Sequence, residues 1–110
     1  MSSALYKFGD VILAECSFSD GTGSKRRPML VIVNRELSLD LIACKITTNM
    51  KEFPHCLIIE DWQKAQLKTK SIVQLDKPYT IDKSKIKYIG SVSEEDLEKI
   101  RAELKIVYGF

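Results

Sequence analysis

The stretch GTGSKRRPMLVIV, residues 21–33, places three consecutive cations directly before an apolar run. The run Met29–Val33 is rich in β-branched residues, which predicts a buried strand. Pro28 fixes the backbone where the chain enters this strand, and glycines give the preceding loop freedom to turn. We therefore expect Arg27 to be held at the strand entrance and Lys25 to be mobile in the loop.

Runs with the same strand signals recur along the chain, separated by the aspartate, proline, glycine and serine residues that are typical of turns. The predicted strands are Val11–Cys16, Met29–Val33, Leu39–Ile46, His55–Ile59, Ser71–Leu75 and Ile86–Val92. Because these strands are short and closely spaced, they predict a small, mostly antiparallel barrel.

The last segment of the chain changes to a helical pattern. Apolar residues recur three or four positions apart, at Leu97, Ile100, Leu104 and Val107. This spacing puts them on one face of a helix. Ser93 is the predicted N-cap, acidic residues follow it at the positive end of the helix, and Gly109 is the predicted stop. The sequence thus predicts a mainly β fold with a C-terminal helix that covers the barrel.

The composition of the chain indicates one ordinary globular domain over residues 1–110. Hydrophobic residues make up 45% and charged residues 29%, so a core can form without metal or disulfide staples. Neither an internal repeat nor a linker divides the chain. The first residues lack the pattern of an export signal, and no apolar run approaches the ~18 residues of a membrane helix. We expect a cytoplasmic protein without a membrane segment.

Cysteine and histidine are too few and too dispersed to suggest a metal site. Cys16, Cys44 and Cys56 are widely spaced without a C-x-x-C motif, and His55 is the single histidine. We expect reduced thiols, no metal ligands and no cofactor.

The net charge is only +2, but the charges are unevenly distributed. Seven lysines and two acids lie between Lys64 and Lys87. A single lysine on a loop or edge strand often serves only solvation and protection against edge-to-edge pairing. Together with the three cations before Pro28, however, these lysines favour a surface for a polyanion.

Two interpretations of Arg27 follow from its position. A guanidinium that is held in place can bind a phosphate through two hydrogen bonds, with Lys25 adding charge beside it. Alternatively, Arg27 forms an ion pair with Asp10 or Asp76 and fastens the rim of the barrel.

Five short blocks occur in one order along the chain. They are Gly9–Val11, Arg26–Pro28, Ile46–Thr48, Ser71–Asp76 and Thr80–Lys83. In this order, and with the closing amphipathic helix, they resemble the PemK/MazF toxin ribonucleases over residues 7–108. The resemblance implies an SH3-like (PemK/MazF-type) antiparallel barrel, usually a homodimer. It also implies an mRNA interferase, an endoribonuclease that cleaves single-stranded RNA at short sequences and is inhibited by a cognate antitoxin protein.

The resemblance assigns three catalytic residues, Arg27, Thr47 and Asp76. RNA cleavage without metal activates the 2′-hydroxyl, stabilises the charge of a pentacoordinate phosphorane and yields a 2′,3′-cyclic phosphate. The always-protonated guanidinium of Arg27 suits charge stabilisation, and Thr47 suits hydrogen bonding to a non-bridging oxygen. Asp76 is the available general base; alternatively, its carboxylate satisfies turn amides before Lys77. The predicted RNA-binding residues are Lys25, Arg26, Thr48, Gln74 and Lys77.

The chain departs from the family pattern at three places. Some relatives carry arginine where this chain has Gln74 and Tyr79, and others a histidine in the loop that contains Lys25. His55 lies outside every matched block, so packing at the rim is its expected role. These departures keep a second interpretation open, namely a non-catalytic barrel that binds RNA or a protein partner.

Overall fold

The computed structural model of the chain describes residues 6–17, 23–35, 37–50 and 54–109. The elements in chain order are β1 (Asp10–Ser17), β2 (Ser24–Asn34), β3 (Asp40–Thr47), β4 (Cys56–Ile59), β5 (Ser71–Asp82), β6 (Ile86–Ser91) and α1 (Glu94–Tyr108). A 3₁₀ turn separates β5 from β6. The tip of the predicted loop before β2, residues 18–22, lies outside the described residues. Within the described ranges, no helix is long and apolar enough to cross a membrane.

The six strands form one antiparallel sheet in the order β4-β5-β3-β2-β1-β6. The prediction of a mainly β fold with a C-terminal helix is therefore confirmed. The outermost strands, β4 and β6, are not paired with each other, so the barrel-like sheet is not closed.

Side chains alternate between the two faces of the sheet, and each face carries its own apolar cluster. On one face, which we call the helix face, Ile100 and Leu104 of α1 pack against a cluster from the sheet. Its strand members include Val11, Leu30, Cys44, Ile46 and Val73. The opposite face, which we call the far face, carries Ile12, Ala14, Met29, Val31, Leu41, Ala43 and Ile81. Consecutive residues of a strand thus belong to different faces, which assigns a face to each candidate functional residue.

Helix α1 has the ends that the sequence predicts. The hydroxyl of Ser93 accepts a hydrogen bond from the backbone N–H of Asp96 at 3.2 Å. Gly109, at φ 75°, donates its N–H back to the last turn at 2.9 Å. The buried carboxylate of Asp96 accepts hydrogen bonds from the N–H groups of Glu60 at 3.1 Å and Asp61 at 2.9 Å. These bonds fasten the helix to the connection between β4 and β5.

Strand β2 begins at Ser24, well before the predicted Met29. Lys25 therefore lies inside a strand, and the prediction that it belongs to a mobile loop is wrong. Pro28 pairs with Leu13 of β1, whereas the pairing of β2 with β3 begins only at Met29. Upstream of Met29 the strand has a partner on one side only, and proline is tolerated there because its missing N–H need not face a neighbour.

Strand β5 is also longer than predicted and runs straight through the expected turn at Asp76–Pro78. Ile46 of β3 pairs with Val73 and Cys44 pairs with Pro78, so Lys45 alone faces the whole segment 74–77. We call this segment, Gln74–Lys77, the β5 bulge. Gln74 pairs instead with Cys56 of β4, and Leu75 N–H donates to His55 O at 3.1 Å.

His55 was predicted to open a strand, but β4 begins at Cys56. The backbone of His55 has a φ of 59°, in the left-handed region that a strand residue does not adopt. Its Nδ1 lies 2.9 Å from Glu103 Oε2 on α1. His55 thus links the start of β4 to the helix, in agreement with a rim role.

Candidate functional site

Arg27 and Thr47 lie on the same face of neighbouring strands. Arg27 is opposite Ala14 of the far-face cluster, so it belongs to the far face. Met29 of β2 pairs with Lys45 of β3 on that face, where the ladder between the two strands ends, and alternation along β3 places Thr47 on the same face as Lys45. Both side chains are half-buried. The two strands therefore present a guanidinium and a hydroxyl on one face of the sheet.

The alternative ion pairs of Arg27 are not formed. Within the described part of the chain, no ion pair joins Arg27 to Asp10 or Asp76. Asp10 is buried and instead accepts hydrogen bonds from Lys7 N–H at 2.9 Å and from the Ser91 hydroxyl at 2.8 Å. The guanidinium thus keeps its charge available for an anion.

The hydroxyl of Thr47 stabilises the end of β3. Its Oγ1 accepts a hydrogen bond from Asn49 N–H at 3.1 Å. An oxygen that accepts from the backbone still carries its own proton, so Thr47 remains able to donate to an anion.

Asp76 lies apart from this pair. Thr47 pairs with Ile72 of β5, whereas Asp76 lies beyond Val73 in the β5 bulge, outside the ladder with β3. The carboxylate of Asp76 instead acts on Cys44, Cys56 and Tyr108, where, in addition to burial, its negative charge contributes to a raised pKa. Burial first, and the charge of Asp76 second, raise the pKa of Cys44 to about 12. The structure thus places Arg27 and Thr47 on the same face of neighbouring strands and Asp76 in the β5 bulge. Since β5 continues through Lys77, the carboxylate has no turn to cap there.

The predicted RNA-binding residues are dispersed. Four of them, Lys25, Arg26, Thr48 and Lys77, are exposed. Gln74, which lies on β5 opposite Cys56 of β4, is only 5% exposed. Gln74 therefore offers almost no surface to RNA.

The lysines between positions 64 and 87 are exposed with one exception. Lys83 is buried and its Nζ donates a hydrogen bond to Arg35 O at 2.7 Å, which is a structural role. Lys77 lies in the β5 bulge, and Lys87 lies on the helix face opposite Leu13. The basic surface that these lysines were predicted to form is thus spread over several parts of the sheet.

A cleft of about 410 Å³ opens on the helix face where β2 separates from β3. Its polar lining residues are Arg26, Thr48, Gln66, Lys68, Thr69 and Ser71. Its apolar lining residues are Leu13, Pro28, Leu67 and Ile89. The sequence predicted Arg26 and Thr48 as RNA-binding residues but did not indicate the lining residues between 66 and 71, because a lysine-rich connection is typical of a solvated loop.

Other candidate sites are less suited to chemistry. A groove of about 220 Å³ beside the end of α1 is lined by apolar side chains together with the Cys44 and Tyr108 side chains. The Tyr108 hydroxyl donates to Leu75 O at 2.8 Å. No cluster of three or more potential metal ligands occurs among the residues that the structure describes.

The fold is that of a small antiparallel β protein with a C-terminal helix. Its candidate site consists of Arg27 and Thr47, which lie on one face of neighbouring strands. The chain belongs to the PemK-like, MazF-like toxin family of type II toxin–antitoxin systems, whose model matches residues 7–108. The resemblance carried by the five sequence blocks is therefore confirmed.

Solved structures share the fold. A mycobacterial endoribonuclease in complex with its cognate antitoxin has 20% identity and a TM-score of 0.73, over 96% of each chain. A MazE–MazF complex from Deinococcus radiodurans has 20% identity and a TM-score of 0.76, over 96% of this chain and 98% of that chain. A MazF toxin from Mycobacterium tuberculosis has 16% identity and a TM-score of 0.69, over 89% and 96%. Among curated protein sequences, none matches significantly.

Proposed function

We propose that the protein is a sequence-selective endoribonuclease toxin that cleaves single-stranded RNA without a metal ion and is inhibited by a cognate antitoxin. Membership of the PemK/MazF family supports this function, as do solved relatives described as an endoribonuclease with its antitoxin and as a MazE–MazF complex. The observation that carries the proposal is the arrangement of Arg27 and Thr47 on one face of the neighbouring strands β2 and β3, where the ladder between them ends.

In the proposed reaction, the 2′-oxygen attacks the phosphorus and the bond to the 5′-oxygen breaks. Negative charge accumulates on the non-bridging oxygens, where Arg27 stabilises it and Thr47 donates a hydrogen bond. Neither group is a base at neutral pH. Because Thr47 pairs with Ile72 whereas Asp76 lies in the β5 bulge, we assign the 2′-hydroxyl proton to solvent water rather than to Asp76. Water also protonates the 5′-oxygen as it leaves, and a 2′,3′-cyclic phosphate remains.

Two partners belong to this proposal. The family relationship supports a homodimer, and the solved toxin–antitoxin complexes support an inhibitory antitoxin. A cytoplasmic location agrees with an RNA substrate.

The test of this function is cleavage of a long single-stranded RNA by the purified chain in excess EDTA. We expect discrete fragments with 2′,3′-cyclic phosphate ends, and no fragments from the Arg27→Ala variant under the same conditions. Strict dependence on Mg²⁺ would contradict the metal-free mechanism.

A second candidate function is a non-catalytic protein that binds RNA or a protein partner. The observation that favours it is the presence of Gln74 and Tyr79 at positions where some relatives carry arginine. Tight RNA binding without any cleavage, equal for the unmodified chain and Arg27→Ala, would support this alternative.

A further inference from the structure

The cleft on the helix face combines three kinds of group that a nucleotide requires. Arg26 and Lys68 supply positive charge, Thr48 and Gln66 supply hydrogen-bonding groups, and aliphatic side chains such as Leu67 supply apolar surface. Its volume of about 410 Å³ lies within the ~300–1,000 Å³ of typical ligand sites. A base presents apolar faces and a polar edge, and its phosphate carries negative charge, so each part has a counterpart here.

The position of the cleft relates it to the Arg27–Thr47 pair. Arg26 and Thr48 are the immediate chain neighbours of that pair, and strand alternation turns them to the other face of the sheet. The cleft therefore adjoins the Arg27–Thr47 pair where β2 and β3 diverge. This adjacency is what suggests that the two sites act on neighbouring parts of one substrate.

The wall of the cleft is held in place by a close backbone approach. A Cβ atom on Gly90 of β6 would lie 2.9 Å from Ala65 O and 2.9 Å from Gln66 Cγ. Only glycine permits the connection to sit this close to β6. Gln66 itself has a φ of 64°, so the connection turns sharply at the cleft. The backbone of this wall is therefore in place before any ligand arrives, and preorganisation of this kind favours binding.

The surrounding charges favour an anionic occupant. Lys87 lies opposite the lining residue Leu13 on the helix face and adds a further cation to this face, which already carries Arg26 and Lys68 in the cleft lining. Glu15, opposite Arg26, is the acid on this part of β1, and it forms no ion pair with Arg26 within the described ranges. An acidic peptide would also use these cations; we commit to RNA because the proposed function brings an RNA strand to the neighbouring Arg27.

We propose that this cleft binds one nucleotide of the RNA next to the scissile phosphate, and that Gln66 reads its base. The base packs on the aliphatic floor formed by Leu13 and Leu67, the Gln66 amide bonds to its edge, and Lys68 contacts its phosphate. This inference rests on the proposed endoribonuclease function, and it assigns a specificity role to residues outside the family blocks.

The test uses a pool of random single-stranded 2′-deoxyoligonucleotides that contain uracil. These probes lack the attacking 2′-hydroxyl, so binding is measured without cleavage. Sequencing of the bound fraction is expected to give a preferred base at one position for the unmodified chain. Gln66→Ala is expected to reduce that preference about tenfold, because the loss of one hydrogen-bonded contact to a base changes discrimination by roughly this factor. Lys68→Gln is expected to keep the preference while lowering the slope of log affinity against log salt by about 0.7.

The matched control is Lys64→Gln, which removes an exposed lysine outside the cleft lining. Its base preference should equal that of the unmodified chain. An unchanged preference in Gln66→Ala would overturn the proposal even if cleavage of natural RNA is observed. Tighter binding of an acidic peptide than of the pool, abolished by Lys68→Gln, would overturn it in favour of a protein ligand. If the protein prefers one base but cleaves no RNA, the assignment of the cleft as a nucleotide site stands and only the endoribonuclease function is refuted.

Discussion

The guanidinium of Arg27 is available because of where the strands end. Arg27 lies on the far face without a carboxylate partner among the described residues, and Thr47 lies at the end of the neighbouring strand. The family blocks were sufficient to select both residues from the sequence. Their shared face, and the position of Asp76 in the β5 bulge, depend on the register of the strands, which arises from contacts between distant parts of the chain.

Arg27→Ala should reduce the single-turnover cleavage rate far more than it reduces RNA affinity. If the guanidinium stabilises the phosphorane, its loss costs about 10²–10³ in rate, as for other preorganised donors. The matched control is Lys25→Ala, two residues upstream in the same strand and exposed, which should weaken binding and leave the rate at saturation nearly unchanged. A melting temperature that falls in proportion to activity would instead indicate a structural role for Arg27.

Asp76→Asn should leave the cleavage rate and its pH profile nearly unchanged, because Asp76 lies in the β5 bulge rather than beside Thr47. A general base normally contributes about 10²–10⁴ in rate. A loss of that size, together with a missing acidic limb of the pH–rate profile, would restore Asp76 as the base.

Cys44 should resist alkylation in the folded protein. Burial, with a smaller effect of Asp76, raises its pKa to about 12, and the thiolate is the reactive form. The folded state therefore keeps its proton while the unfolded thiol ionises from about pH 9, so stability should fall as pH rises above that value. Iodoacetamide labelling followed by mass spectrometry checks this in a Cys16→Ser, Cys56→Ser background. Rapid labelling of the native protein at pH 8 would contradict it.

At the scale of elements, six predicted strands and a capped helix are all present, and the errors lie at strand ends. Apolar runs marked where each strand begins to be buried, but β2 continues upstream through Lys25 and β5 continues downstream through Pro78. Both extensions contain residues that locally favour turns, and pairing with neighbouring strands overrides that preference. The connection that carries Gln66 reaches the cleft where it packs closely against Gly90 of β6. This contact joins distant parts of the chain, so no local sequence pattern indicates it.

Asp96→Ala should destabilise the protein by about 3 kcal/mol, because a buried carboxylate that accepts two backbone N–H groups would leave both donors without partners. Urea unfolding followed by circular dichroism measures this difference. Glu95→Ala is the matched control, since it removes an exposed acid from the same helical turn. If the two variants lose the same free energy of unfolding, the role of Asp96 is limited to stabilising the helix dipole.

At the scale of the whole molecule, the open sheet leaves two strand edges and several apolar side chains in contact with solvent. β4 and β6 have one partner each, and Val33, Ile42 and Tyr79 remain between 37% and 41% exposed. Natural proteins usually cover such edges and patches.

A homodimer is expected from these exposed features and from the family relationship. Light scattering at tens of micromolar protein should therefore give twice the 12.5 kDa mass of one chain. A mass of 12.5 kDa at that concentration would count against the homodimer.

The β5 bulge has a consequence for the tolerance of the chain to changes in length. A residue inserted next to Ile72 or Ile81 would shift the strand by one position and exchange its inward and outward side chains. Within 74–77 the chain is already free of the β3 ladder, so an extra residue can loop out while both halves of β5 keep their partners. Insertions and deletions among natural variants of this protein should therefore accumulate in the bulge, where the sheet can absorb a change in length without a change in pattern.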